Sequence, residues 1–307
     1  MKKLVFCFII LIFLLCTTLY AQMRGGMMGG AQQFAPQQYV PTQDKWFMEQ
    51  LYLVRGGQLY DDWWRTTVDT AKPDSDQSLW KKQTSNKRKG YDTYRCKECH
   101  GWDYRGKDGA YGKGSHYTGF IGVLQAGKNL SIKELEESLK GSTNKDHDFS
   151  GNISEDDMFD LALFMRKGLI DTREFVDNAG IPLGGNIRTG DYLFQRNCTH
   201  MCHGRWGTAI NFGDDEKPEF VGTIAHDNPW EFIHKVRNGQ PGTRMPSAIL
   251  NEWSQRDILN LLSFARTLPK ESPKFDWGRG WGRRGMMGMH QRDYAPGRGR
   301  GFGPSLE

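Results

Sequence analysis

The chain has 307 residues, 37% of them hydrophobic and 25% charged, with a formal net charge of +5. That length accommodates two small domains and argues against one large apolar globule. Lysines and arginines are interleaved with acidic residues through most of the chain, which argues against nucleic acid as the main partner.

The chain opens on MKKLVFCFIILIFLLCTTLYAQ, a basic start, an apolar run and a small residue, Ala21, before Gln22. This predicts a secretory signal over residues 1–21 and an exported mature chain, in the periplasm or an equivalent lumen, without a stable membrane span. A retained anchor is the alternative on an apolar run this short. Lipid attachment at Cys16 is disfavoured by Leu15, which stands where a small residue is preferred. Losing Lys2 and Lys3 lowers the net charge from +5 to +3, and losing Cys7 and Cys16 leaves Cys96, Cys99, Cys198 and Cys202. An even cysteine count in an exported chain ordinarily suggests disulfides, but here a histidine directly follows each pair.

Residues 22–44 are rich in Gly, Gln, Met and Pro, and residues 271–307 repeat the Met-Met-Gly theme with added arginines. Both are expected to be flexible, with arms that suit an acidic partner or, through thioethers, copper(I). Residues 45–88 form an N-terminal extension whose stretch LYLVRGGQLYDDWWRTTV predicts one short helix.

Two similar units follow. Residues 89–172 contain Gly90 and Tyr94 ahead of Cys96, Cys99 and His100; residues 186–270 contain Gly190 and Phe194 ahead of Cys198, Cys202 and His203. In each, a helix ends near a glycine, Gly141 or Gly239, and six residues later stands His147 or Met245. A cap-like serine, Ser154 or Ser254, then opens an amphipathic helix. The linker, residues 173–185, contains Gly and Pro. The repeat of about a hundred residues predicts an all-α fold of two tandem units.

CKECH at Cys96–His100 suits covalent haem attachment: two thiols form thioethers with the vinyl groups of one haem, and the adjacent imidazole reaches the iron. A zinc half-site would need a second ligand pair nearby. CTHMCH at Cys198–His203 has three residues between its cysteines instead of two, yet stands at the same place in the repeat. Its extra residue lengthens a loop without displacing His203, so a second haem is expected there. His200 is expected to be exposed or hydrogen-bonded.

The Gly-x-x-x-aromatic approach, the Cys-His ending and the later GTRMP make the second unit resemble a class I cytochrome c domain. The resemblance implies a helical haem domain whose second axial ligand is Met245, supported by Pro246. The first unit holds His147 at the matching position, which implies His100/His147 ligation, with His116 as the rival. LYDDWWRTTVD with RCKECHGWDYRGKDGAYGKGSHYTG resembles dihaem cytochromes grouped with thiosulfate dehydrogenases. Enzymes of that group typically use a His/Cys-ligated haem, and no cysteine lies between Cys99 and Cys198 here.

The sequence thus predicts two covalently attached haem c groups and no catalytic residue of the chain's own. The expected role is that of an electron carrier, or of an electron-transfer subunit of a larger oxidoreductase serving redox partners. An enzyme acting on a small sulfur or nitrogen species is the alternative. A thioether ligand raises the reduction potential relative to a second imidazole, so the first haem is expected at the lower potential. The tryptophans are assigned to packing, ahead of a part in electron hopping.

Overall fold

The computed structural model describes residues 41–67 and 70–272. The signal segment, nearly all of the flexible segment 22–44 and nearly all of the tail lie outside them. The fold is all-α: among the described residues there is no β-strand, only isolated bridges such as Gly106 with Ile121. No helix among them is long and apolar enough to cross a membrane.

The extension is larger than the one short helix expected. It forms α1, Pro41–Thr66, two helical runs merged across a kink at Asp62, whose φ and ψ are −153° and 86°. Pro41–Asp44, placed by sequence in the flexible segment, open this helix. The remaining elements of the first half are α2 (Cys96–His100), α3 (Leu124–Asn129), α4 (Ile132–Leu139) and α5 (Glu155–Leu163), the last running into a π-turn at Phe164–Gly168. The second half holds α6 (Ile187–Asn197), α7 (Val221–Asp227), α8 (Pro229–Asn238) and α9 (Gln255–Ala265).

Local chemistry explains the boundaries. Ser131 caps α4 by a reciprocal capping box with Glu134. Ser154 and Ser254 each accept the backbone N–H three residues on, from Asp157 and Asp257, both at 3.2 Å, at the starts of α5 and α9. Pro229 opens α8 at a position where its missing N–H costs nothing.

Two apolar cores form. Leu59, Tyr60 and Trp63 of α1 pack with Leu135, Leu139, Met158, Leu161 and Phe164 in the first; Phe194, Ile233, Ile258, Leu262 and Phe264 are central to the second. Ile170 touches both.

The helix crossing that anchors each core is the same. A Cβ on Gly190 would stand 2.0 Å from the Asn260 carbonyl oxygen and 2.6 Å from the Phe264 Cβ; one on Gly56 would stand 2.1 Å from the Asp160 oxygen and 2.6 Å from the Phe164 Cβ. Only glycine lets the backbones approach so closely. Four residues beyond each glycine, Tyr60 and Phe194 are buried. The counterpart of Gly190 is therefore Gly56 and not Gly90. Gly90 lies in a 3₁₀ turn, Gly90–Tyr94, with no such crossing around it. Forty residues separate Gly56 from Cys96 against eight from Gly190 to Cys198, so the first half carries 32 extra residues before its cysteine pair.

Candidate haem-attachment sites

The two Cys-Cys-His stretches are closed turns that differ by one residue of backbone. Cys96–His100 is one α-helical turn, ended by the Gly101 N–H donating to the Lys97 carbonyl at 3.0 Å. In the second stretch, Thr199–His203 forms a π-turn in which the His203 N–H reaches the Cys198 carbonyl at 3.0 Å and the Gly204 N–H reaches Thr199 at 3.1 Å. A π-turn is the way a helix absorbs one inserted residue without losing its direction. Both turns leave through a left-handed glycine of similar conformation, Gly101 at φ 76° and ψ 159° and Gly204 at φ 67° and ψ 168°. The histidine carbonyls are satisfied alike, His100 by the Gly106 N–H at 2.8 Å and His203 by the Ala209 N–H at 3.1 Å.

All four described cysteines are unpaired thiols. Cys96 packs on the first core and Cys198 on the second. Burial pushes each of these two thiols up to about 12, which keeps them protonated at neutral pH. Among the described residues no group of three or more His, Cys, Asp or Glu side chains is placed to hold a metal ion.

The histidines of the first half converge. His100 Nδ1–H donates to the Ile121 carbonyl at 2.7 Å and His147 Nδ1–H donates to the Ser138 carbonyl at 3.1 Å. Each bond commits Nδ1 as the donor and leaves Nε2 as the ligating nitrogen, as in metal-bound histidines. The ring centroids lie 6.1 Å apart at an interplanar angle of 75°. A metal–imidazole bond of about 2 Å on each side, with ~1.1 Å from nitrogen to ring centre, places two ligands of one iron roughly 6 Å apart. The pair thus fits the two axial positions of a haem. Phe149 packs edge-on against His147 at 5.1 Å. His116 lies elsewhere, stacked on Tyr111 at 4.6 Å and 18°.

In the second half, His203 is partly buried, its Nδ1 has no hydrogen-bond partner, and Phe212 lies 5.8 Å away. Burial holds His203 below the ordinary histidine range, so it is neutral and able to ligate. Met245 packs partly buried against the second core, its N–H donating to Thr243 Oγ1 at 3.2 Å. The turns before His147 and Met245 match, with Gly141 at φ 74° and Gly239 at φ 78°.

The attachment turn of the first half is backed by an ion network invisible in the sequence pattern. Glu98, fully buried, pairs with Arg88 at 2.9 Å and with Lys97. Burial pushes its carboxyl up, but the two cations outweigh burial and hold it below the usual range. Trp102, 1% exposed, has Lys97 Nζ 5.0 Å and Lys235 Nζ 5.1 Å from its ring. Two ammonium groups beside an indole disfavour its radical cation, so packing and cation–π attraction account for this tryptophan. Trp63 is also fully buried, whereas Trp206 is 49% exposed.

Residues 185–264 match the family model described as cytochrome C oxidase, cbb3-type, subunit III. The matched segment contains Cys198, Cys202, His203 and Met245. No curated protein and no solved structure matches the chain. A cytochrome c domain implies covalently bound haem c and redox partners. The match spans only part of the chain; it gives the second half a cytochrome c-type domain and supports an electron-transfer haem protein.

Proposed function

We propose that the protein is an exported dihaem cytochrome c that passes single electrons between redox partners, as a carrier or as the electron-transfer subunit of a larger oxidoreductase. The observation that carries the second haem is the repeated framework: a glycine-mediated helix crossing, a Cys-Cys-His turn and a left-handed glycine exit occur in both halves. On this reading the first unit begins with α1 instead of residue 89, because Gly56 and Tyr60 supply its crossing.

Cys96 and Cys99 hold one haem and Cys198 and Cys202 the other. His100 and His147 ligate the first iron, His203 and Met245 the second. A haem c at each site supplies a one-electron couple. The chain orients the imidazoles through Ile121 and Ser138, excludes water with the two aromatic cores, and sets the order of potentials through His147 and Met245. The secretory signal expected over residues 1–21 supports export to the periplasm or an equivalent lumen.

The test is the mass of the mature protein followed by a redox-poised absorption and electron paramagnetic resonance titration. Two attached haems and two low-spin signals, with a methionine-to-iron band only on the higher-potential one, are expected. A mass showing one haem defeats the dihaem reading. A high-spin first haem defeats its His/His ligation.

A further inference from the structure

A cleft of about 290 Å³ lies between the two halves, lined by none of the four cysteines. Lys97, Trp102, Tyr111 and His116 line it from the first half, and residues such as Lys217 and Glu231 line it from the second. Three polar atoms of its lining side chains are shut away from bulk water with no hydrogen-bond partner: Trp102 Nε1, Tyr111 Oη and His116 Nδ1. Trp102 and Tyr111 are 1% and 5% exposed. A buried donor left unpaired is costly, and native proteins rarely leave several together.

The orphaned groups define the class of ligand. An indole N–H can only donate, and burial raises the Tyr111 hydroxyl so that it stays protonated and donates too. The charges around them are largely matched: Arg88 and Lys97 pair with Glu98, Asp227 with Lys270 at 2.8 Å, and Glu231 lies 4.0 Å from Lys235 Nζ while receiving Asn228 Nδ2–H at 2.9 Å. Lys217 and Glu219 make no side-chain ion pair among the described residues. What the cleft has in surplus is donors, so a complement must bring acceptors.

We propose that this cleft binds a small oxyanion, an inorganic oxoanion or a simple carboxylate, held by Trp102 Nε1–H, Tyr111 Oη–H and the His116 ring. None of its lining residues is one of the four cysteines or of the proposed axial ligands His100, His147, His203 and Met245; His116, the rival ligand by sequence, stacks on Tyr111 instead.

Calorimetric titration of the mature holoprotein with sulfate and, separately, with acetate, at ionic strength fixed with sodium chloride, tests it. One saturable site per chain is expected for at least one probe. Saturation by sulfate alone assigns an inorganic oxoanion, by acetate alone a carboxylate, and by both the shared oxyanion chemistry. Tyr111→Phe, which keeps the ring and deletes one donor, and Trp102→Phe, which deletes the indole N–H together with its five-membered ring, are expected to weaken binding about tenfold with unchanged haem content. If Trp102→Phe does not fold, Tyr111→Phe decides. No saturable heat with either probe assigns the donors to buried water or to a haem propionate and overturns the proposal, as does equal affinity in a folded variant.

Discussion

Asp61 and Lys235 form an ion pair across the two halves of the fold, and the other oxygen of the same carboxylate accepts from Arg95 Nη2 at 2.6 Å. Asp61 is completely buried, while Arg95 and Lys235 side chains are each 17% exposed. Burial pushes the carboxyl up, but Lys235 and Arg95 outweigh it and hold it well below the usual carboxylate range. Arg95 immediately precedes Cys96, so this one side chain fixes α8 against the approach to the first attachment turn. Asp61→Asn keeps the volume and leaves two cations short of their counter-charge. Removing one partner of a buried pair costs about 3–5 kcal/mol. Denaturant unfolding of the variant is expected to show a loss of that order.

A second bridge between the halves is neutral and titrates. His234, 1% exposed, accepts from the Tyr104 hydroxyl at Nδ1 (2.8 Å) and donates from Nε2 to the Gly57 carbonyl (3.0 Å). Burial depresses its pKa to about 4. The unfolded chain, with an ordinary histidine near 6.5, therefore binds more protons between those values, and stability rises with pH across that window. Stability is fully present above about pH 6.5 and falls as pH drops toward about 4, by on the order of 3 kcal/mol. Melting temperatures of the wild type and of His234→Gln across pH 4–7 check this. The variant is expected to be less stable at neutral pH and to have a flatter slope.

The two helix crossings predict matched sensitivity. Gly56→Ala and Gly190→Ala each drive a methyl group into a carbonyl oxygen of the facing helix, at 2.1 and 2.0 Å. Overpacking of this kind costs about 1–3 kcal/mol or more. Both variants are expected to unfold at lower denaturant concentration, whereas Gly90→Ala, with its nearest contact at 3.9 Å, is limited to the strain of a positive φ.

The π-turn makes the inserted residue dispensable. Deleting His200 converts CTHMCH into the two-residue spacing already present in CKECH. The shortened loop is expected to close as an α-turn and to retain its haem. Intact mass and the visible spectrum of the deletion variant report this; loss of one haem's mass would show that the longer turn is required.

Ligand exchange tests the proposed order of potentials. Met245→His is expected to lower the higher potential and erase the methionine-to-iron band, because an imidazole stabilises ferric iron relative to a thioether. His147→Met is expected to raise the lower potential within the ~0.8 V that axial ligands and burial span. Spectroelectrochemical titration reads both, and two unchanged potentials would remove these residues from the irons.

The proposed attachment chemistry was legible in the sequence by itself, because two thiols for thioethers and an imidazole for the iron stand within one turn, and that is local. Helical periodicity and the Ser154 and Ser254 caps were equally readable, since their hydrogen bonds close within three residues. The pairing of Gly56 with Phe164 was not, because the 32 extra residues before Cys96 separate the crossing from the motif and leave Gly90-x-x-x-Tyr94, six residues before Cys96, as a nearer decoy. Gly56-x-x-x-Tyr60 and Asp160-x-x-x-Phe164, read beside Gly190-x-x-x-Phe194 and Asn260-x-x-x-Phe264, carried the signal. Only the tertiary structure decided that His147 faces His100 while His116 stacks on Tyr111, and that Asp61, Lys235 and His234 join the halves. Those are contacts between residues up to 177 positions apart, and chain periodicity carries no information about which distant charge or ring a buried group will meet.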